Sequence, residues 1–97
     1  MFIVFLKFSE HRDRAKDFMA SHKAWVKQGI DDGVFLLVGS LKGNQGGCIV
    51  ASGDDHSALE TRVHQDPFVI EKVVQPEIQE FTPSMSTESL SFLINED

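Results

Sequence analysis

Cysteine, secretion signals and long apolar runs are scarce or absent in this chain. Cys48 is the only cysteine among 97 residues, so neither an intramolecular disulfide nor a cysteine metal cluster can form. No stretch approaches the roughly 20 consecutive apolar residues of a membrane-spanning helix. The N-terminus also lacks the basic lead and small-residue cleavage site of a secretion signal. We therefore expect a cytoplasmic protein that does not associate with membranes.

The chain also has fewer basic than acidic residues. Nine lysine and arginine residues stand against 15 aspartate and glutamate residues, which gives a net charge of −6 at pH 7. Nucleic-acid binding needs a basic surface that displaces counterions, so the composition argues against a nucleic-acid partner. The basic side chains between Lys7 and Lys23 are interpreted as a solvated helix surface.

Short apolar runs alternate with longer helical patterns in a way that predicts one small α+β domain. The predicted elements are a strand at 2–8, a helix at about 9–32, a strand at 34–38, a turn at 42–47, a strand at 48–52, a helix at about 57–65 and a more polar edge strand at 77–82. This order is the split βαβ pattern of ferredoxin-like domains, in which two helices cover one face of a four-stranded antiparallel sheet.

The first two predicted strands are apolar on both faces, which has a consequence for assembly. The sheet face away from the helices would expose more apolar surface than soluble monomers usually do. We therefore expect a second copy to pack sheet to sheet, forming a homodimer.

The C-terminal part of the chain is predicted to lie outside this domain. Residues 1–83 contain the α+β pattern, and residues 84–97 form a tail. Within the tail, a linker-like segment at 84–89 precedes an apolar segment at 90–94. This apolar segment either packs on its own domain or reaches a partner subunit.

His22 is the leading candidate for chemistry. It lies in the middle of the first predicted helix, on the apolar face that also carries Phe18 and Val26. A buried imidazole needs a hydrogen-bond partner, because leaving a polar group unpaired costs about 1–3 kcal/mol. Asp66, at the end of the second helix, lies on that helix's inward side. Both helices of a split βαβ fold lie on the same side of the sheet, so a contact between the two side chains is allowed.

A paired His22 and Asp66 would be suited to acid–base catalysis. The carboxylate would fix the imidazole tautomer and leave the other ring nitrogen to take or give a proton on a small-molecule ligand. The alternative interpretation is a core histidine whose hydrogen bond is purely structural.

The other candidate residues are weaker. Ser40 follows Gly39 at the end of the second strand and could donate to a substrate or to His22, although a turn residue needs no such role. The remaining histidines, at positions 11, 56 and 64, are interpreted as surface residues. We predict no metal site, and the glycines at 43, 46 and 47 lie in the predicted turn rather than ahead of a helix that could bind phosphate.

Several segments resemble the YCII-related (YciI-like) family in order and spacing. They are Met1–Lys7, the helix with His22, Phe35–Gly39, Gly46–Gly47, Asp66–Val69 and Ile78–Pro83. The most specific is Asp-Pro-Phe at 66–68, preceded by the helix with an inward histidine. Relatives usually carry Gly-Pro where this chain has Gly39-Ser40, so the shape of this loop and the specificity of the pocket differ from the family pattern.

The resemblance implies a dimeric α+β barrel, related to muconolactone isomerase-like and antibiotic-monooxygenase-like domains. It also implies a His–Asp pair in a small pocket, at His22 and Asp66. If the chain is an enzyme, we expect Phe68 and Ser40 to line that pocket. The chemistry attributed to the family is lyase-like and includes dehydrochlorination of a chlorinated hydroxyquinol.

We therefore expect a cofactor-free enzyme of lyase or isomerase type with no assigned substrate. One alternative is a non-catalytic small-ligand-binding or accessory dimer. A haem- or oxygen-dependent relative of the monooxygenases is a third interpretation, in which His22 would be the haem ligand.

Overall fold

Within residues 1–94, the part of the chain that the computed structural model describes, four strands and three α-helices follow one another in the predicted α+β order. Their bounds are β1 Phe2–Phe8, α1 Ala15–Asp31, β2 Phe35–Ser40, β3 Gly46–Ala51, α2 His56–Val63, α3 Pro67–Ile70 and β4 Val74–Glu80. A 3₁₀ turn at Arg12–Arg14 precedes α1, and another at Glu88–Leu93 lies in the predicted tail. The last three residues of that tail, 95–97, lie outside the described residues.

The four strands form a single antiparallel sheet in the order β2-β3-β1-β4. Strands β1 and β3 are central. The more polar β4 lies at an edge as predicted, and β2, although apolar on both faces, is the other edge strand. This sheet with its helices fits the ferredoxin-like fold. The hairpin from β2 to β3 contains a register shift between Phe35 and Leu37.

The core lies between the helices and one face of the sheet. Alternate residues of β1, namely Phe2, Val4 and Leu6, are buried on this face, as the period of two in a strand requires. Leu59 and Val63 of α2 pack against the same cluster. One side of β1 therefore anchors the helices that carry the candidate site.

The first helix begins later than the sequence indicated. Ser9 was the predicted start, but its hydroxyl donates to the carbonyl of Lys72, 2.7 Å away, instead of capping a helix. The chain then makes the short 3₁₀ turn, and α1 begins at Ala15 after Arg14, which provides no side-chain cap.

The predicted turn and second helix also differ in their limits. Gly46 and Gly47 belong to β3 rather than to the turn. At Gly46, with φ of 130°, a Cβ atom would lie 2.0 Å from the carbonyl oxygen of Leu6, so only glycine allows β3 to approach β1 here. The second helix is shorter than predicted, and a separate short helix, α3, follows it at Pro67.

The sheet face opposite the helices carries apolar side chains on three of its strands. Ile3 and Phe5 of β1 share this face with Cys48 and Val50 of β3, according to the register of the strands. Leu37 of β2 lies beside Val50 and is 68% exposed. We call these five residues the open face.

The tail leaves apolar side chains in solvent. Leu90 and Phe92 are 47% and 71% exposed, whereas Leu93 and Ile94 are half-buried, so the apolar segment is only partly covered within one chain. None of the helices in residues 1–94 has the length and apolar character that a bilayer crossing requires.

Candidate active site

The side chains of His22 and Asp66 lie in direct contact. The Nδ1 atom of His22, in the middle of α1, is 2.8 Å from Oδ1 of Asp66, just before α3. The Asp66 side chain is fully buried, whereas 17% of the His22 side chain is exposed. The pair therefore spans the boundary between the core and an accessible surface, with the imidazole on the accessible side.

Asp66 is held in place by the start of α3. It is the N-cap residue of this short helix, and its Oδ1 atom accepts a hydrogen bond from the backbone N–H of Phe68 at 3.0 Å. Pro67 occupies the first turn, where a missing N–H does no harm. The Asp-Pro-Phe sequence thus shapes the turn that aims the carboxylate at α1.

The contact with Asp66 defines which nitrogen of His22 faces away from the core. An ionised carboxylate can only accept, so the Nδ1–H group of the imidazole donates to it. The Nε2 atom then has no proton in the neutral ring and is available as a base. The second oxygen of Asp66, Oδ2, is buried and has no hydrogen-bond partner within residues 1–94.

Two aromatic rings lie beside the imidazole. The ring of Phe68 is stacked on that of His22, with centroids 4.0 Å apart and an interplanar angle of 6°. Trp25 lies on the next turn of α1, 5.9 Å from the imidazole, and its indole N–H donates to the carbonyl of Arg62 at 3.0 Å. Trp25 also meets Phe35 edge to face at 5.0 Å. These contacts restrict the orientation of the His22 ring.

A cavity of about 320 Å³ opens beside His22, between α1 and the sheet. Its size falls at the lower end of the range of small-molecule sites, about 300–1,000 Å³. Its walls are mainly apolar and include Val26, Val38 and Phe68. A small ligand in this cavity would meet the imidazole.

The residues predicted to bind substrate both border this cavity. Phe68 lies under the imidazole, and Ser40 lies across from it at the end of β2. No hydrogen bond joins the Ser40 hydroxyl to His22 in the described part of the chain. Donation of the Ser40 hydroxyl to a ligand stays a prediction, beside the alternative of a strand-end residue without such a role.

Lys23 and Met19, one turn apart on α1, also border the cavity, although the sequence did not indicate them as site residues. Met19 is 38% exposed. A helical pattern cannot identify these positions as cavity residues, since the opposite wall comes from β2.

The other histidines lie away from this cavity. His64 and His56 are exposed and interact with Glu60 on α2, whereas His11 is half-buried with Nδ1 3.3 Å from the carbonyl oxygen of Glu71. Within residues 1–94, no three His, Cys, Asp or Glu side chains are grouped as a metal site would require.

Comparison with known proteins bears on the fold. No protein-family model and no curated protein sequence matches the chain. Among solved structures, the chain is similar to 5-chloro-2-hydroxyhydroquinone dehydrochlorinase from Burkholderia phenoliruptrix AC1100, in a complex with 2,5-dihydroxybenzoquinone. The TM-score is 0.68 at 13% sequence identity, over 84% of this chain and 93% of that chain. At this level of identity the similarity shows the fold alone.

Proposed function

We propose that this chain is a cofactor-free small-molecule enzyme of lyase or isomerase type, a member of the YCII-related family. His22 exchanges a proton with the substrate through Nε2, and Asp66 orients the ring and stabilises the imidazolium that forms. The observation that carries the proposal is the 2.8 Å contact between a buried carboxylate and an imidazole at the edge of a cavity of about 320 Å³.

Loss of HCl from a chlorinated hydroxyquinol is one reaction that this pair could perform. In the keto form of the ring, the carbon that carries chlorine is tetrahedral. His22 removes a proton from an enol hydroxyl group, and the O–H electrons form a carbonyl bond. The electrons of the ring double bond at that carbon shift to form a new double bond to the chlorine-bearing carbon, and chloride leaves with the electrons of the C–Cl bond. The reaction is an elimination, so it needs no external oxidant or reductant. The dehydrochlorinase with a similar fold lends support to this choice of trial substrate.

Asp66 also supports a second candidate, a non-catalytic small-ligand-binding or accessory domain. Its Oδ1 atom caps α3 through the Phe68 amide, so the carboxylate has a structural role whether or not His22 reacts. In this alternative, a ligand would bind in the cavity without being converted.

Chloride release from 5-chloro-2-hydroxyhydroquinone separates the two candidates. We expect the wild-type protein to release chloride and His22→Gln to do so at least about 100-fold more slowly, the usual size of a general-base contribution. The matched control is His64→Gln, since His64 is exposed and lies outside the cavity.

Two outcomes would contradict the enzymatic proposal. One is a folded His22→Gln protein that retains the wild-type rate. The other is a wild-type protein that binds 2,5-dihydroxybenzoquinone in the cavity but releases no chloride, which would favour the binding domain.

We also propose that the functional unit is a homodimer. The open face would be covered by the same face of a second copy, since apolar surface on three adjacent strands is unfavourable in water. The exposed Leu90 and Phe92 of the tail would be covered by the partner subunit as well.

A further inference from the structure

The charged side chain that borders the cavity is basic, although the chain as a whole is acidic. The protein carries 15 acidic and nine basic residues. Around the cavity, Lys23 contributes the sole formal charge among the described lining residues, and no carboxylate lies in the wall. Asp66 lies behind His22, fully buried, and does not border the cavity. Lys23 is therefore the one side chain with a formal charge that borders the cavity within the described residues.

Lys23 is also free to bind a ligand. Nearby basic residues are engaged in ion pairs: Lys27 with Asp31 at 2.9 Å, and Arg62 with Asp32 at 3.0 Å. Lys23 forms no ion pair within residues 1–94. Its ammonium group thus requires no rearrangement of an existing pair before it meets an anion.

Ser40 provides a second polar side chain in the wall of the cavity. Its hydroxyl makes no hydrogen bond in the described part of the chain, and it lies on β2, whereas Lys23 lies on α1. A ligand in the cavity could therefore receive hydrogen bonds from both elements. Val26, Val38 and Phe68 would surround the apolar remainder of the same ligand.

We propose that Lys23 and Ser40 recognise an anionic oxygen group, and that the cavity takes a small, flat molecule with an apolar body and a single negative charge. This proposal rests on the proposed function in that it concerns the same cavity, but it concerns binding and does not require turnover. Lys23 would act as a specificity-determining residue, attracting the anionic end while the apolar body lies against Phe68.

Benzoate and benzamide form a pair of probes that differ mainly in charge. We would titrate each into ¹⁵N-labelled protein at pH 8.5, where imidazole side chains are ordinarily neutral. The dissociation constants would be read from the backbone amide shifts of residues such as Gly39, Ser40 and Gly47. We expect benzoate to bind about three- to five-fold more tightly than benzamide, the size expected for one exposed ion pair.

The variant Lys23→Gln should remove the preference for benzoate, and Ser40→Ala should reduce it. The matched control is Lys16→Gln, which removes the same charge from the same helix at a position outside the cavity. This control should keep the preference. Added salt should weaken the binding of benzoate more than that of benzamide, because it screens exposed charges.

The proposal is overturned if benzamide binds as tightly as benzoate, if Lys23→Gln keeps the preference, or if neither probe shifts these amides at tens of millimolar. Failure of the proposed enzymatic function gives a different result. The preference for benzoate would then persist in the wild-type protein, while chloride release from 5-chloro-2-hydroxyhydroquinone would be absent.

Discussion

The phenyl ring of Phe68 lies flat on the imidazole of His22, with the ring centroids 4.0 Å apart and the planes within 6° of parallel. The backbone amide of the same phenylalanine donates to Oδ1 of Asp66, the atom that also accepts from His22. A single residue of α3 therefore holds both members of the pair, one through its side chain and the other through its backbone.

Replacing Phe68 with leucine should separate these two contributions. The variant keeps the backbone N–H group and an apolar side chain but loses the stacked ring. We expect the free energy of unfolding to fall by about 1–2 kcal/mol. We also expect kcat for chloride release to fall several-fold with a smaller change in KM, because the imidazole is less well positioned. The exposed Phe81→Leu is the control, and an unchanged kcat in Phe68→Leu would show that stacking does not position His22.

Removing the buried carboxylate should lower the free energy of unfolding more than removing an ordinary helix cap does. Asp66→Ala leaves the Nδ1–H group of His22 and the amide of Phe68 without their acceptor, so we expect a loss of about 3 kcal/mol in unfolding free energy. Asp55, the exposed N-cap of α2, accepts from the amide of Ala58 at 3.0 Å and is the matched control. Asp55→Ala should lower the free energy of unfolding by about 1 kcal/mol. Equal losses in urea unfolding would mean that the pair with His22 adds nothing to stability.

Alanine at Gly29 should destabilise the protein, although it lies within a helix. Where a helical glycine has free space around it, replacing it with alanine raises the free energy of unfolding by about 1 kcal/mol. At Gly29, however, a Cβ atom would lie 2.1 Å from the ring of Phe35, a residue of β2 that packs against α1. We expect a loss of about 2 kcal/mol from the resulting overpacking. Gly39→Ala is the control, because no atom lies within 4 Å of its Cβ position. A stabilised Gly29→Ala protein would contradict the tight contact.

A charged side chain on the open face should dissociate the proposed dimer. We expect light scattering after size-exclusion chromatography to give twice the mass of one chain for the wild-type protein. Leu37→Glu should give the mass of one chain, because a carboxylate would be buried without a partner in the interface. The control is Gln79→Glu on β4, on the polar part of the same face. A monomeric wild-type protein, or a dimer unaffected by Leu37→Glu, would argue against this interface.

The sequence predicted the parts of the fold that depend on local pattern. The apolar runs indicated the strands, and the polar residues of β4 indicated its edge position, since both properties follow from which faces a strand buries. The helical period placed His22 toward the core, and the Asp66-Pro67 pair marked the end of the preceding helix. These features need no knowledge of distant contacts.

Features that depend on distant contacts were not predictable in this way. Ser9 looks like a helix cap, but its hydroxyl reaches the carbonyl of Lys72, which lies 63 residues away in the chain. From the sequence, Gly46 is interpreted as a turn residue. In the structure it belongs to β3, and its lack of a side chain allows β3 to lie close to the carbonyl of Leu6 in β1. Lys23 looks like a solvated lysine until β2 supplies the opposite wall of the cavity. The catalytic role of His22 and Asp66 stays a prediction, because geometry alone does not distinguish a reacting pair from a structural one.

The sharpest test of the proposed role of His22 is the protonation pattern of its ring. Two-dimensional ¹H–¹⁵N spectra of histidine-labelled protein distinguish the two neutral tautomers, and His22 can be assigned by its absence in His22→Gln. We expect the proton on Nδ1, an unprotonated Nε2, and a shift of the Nε2 signal when 2,5-dihydroxybenzoquinone is added, with little change at the other three histidines. A proton on Nε2, or an Nε2 signal that does not shift when the ligand is added, would contradict the role of this nitrogen as the acid–base group of the cavity.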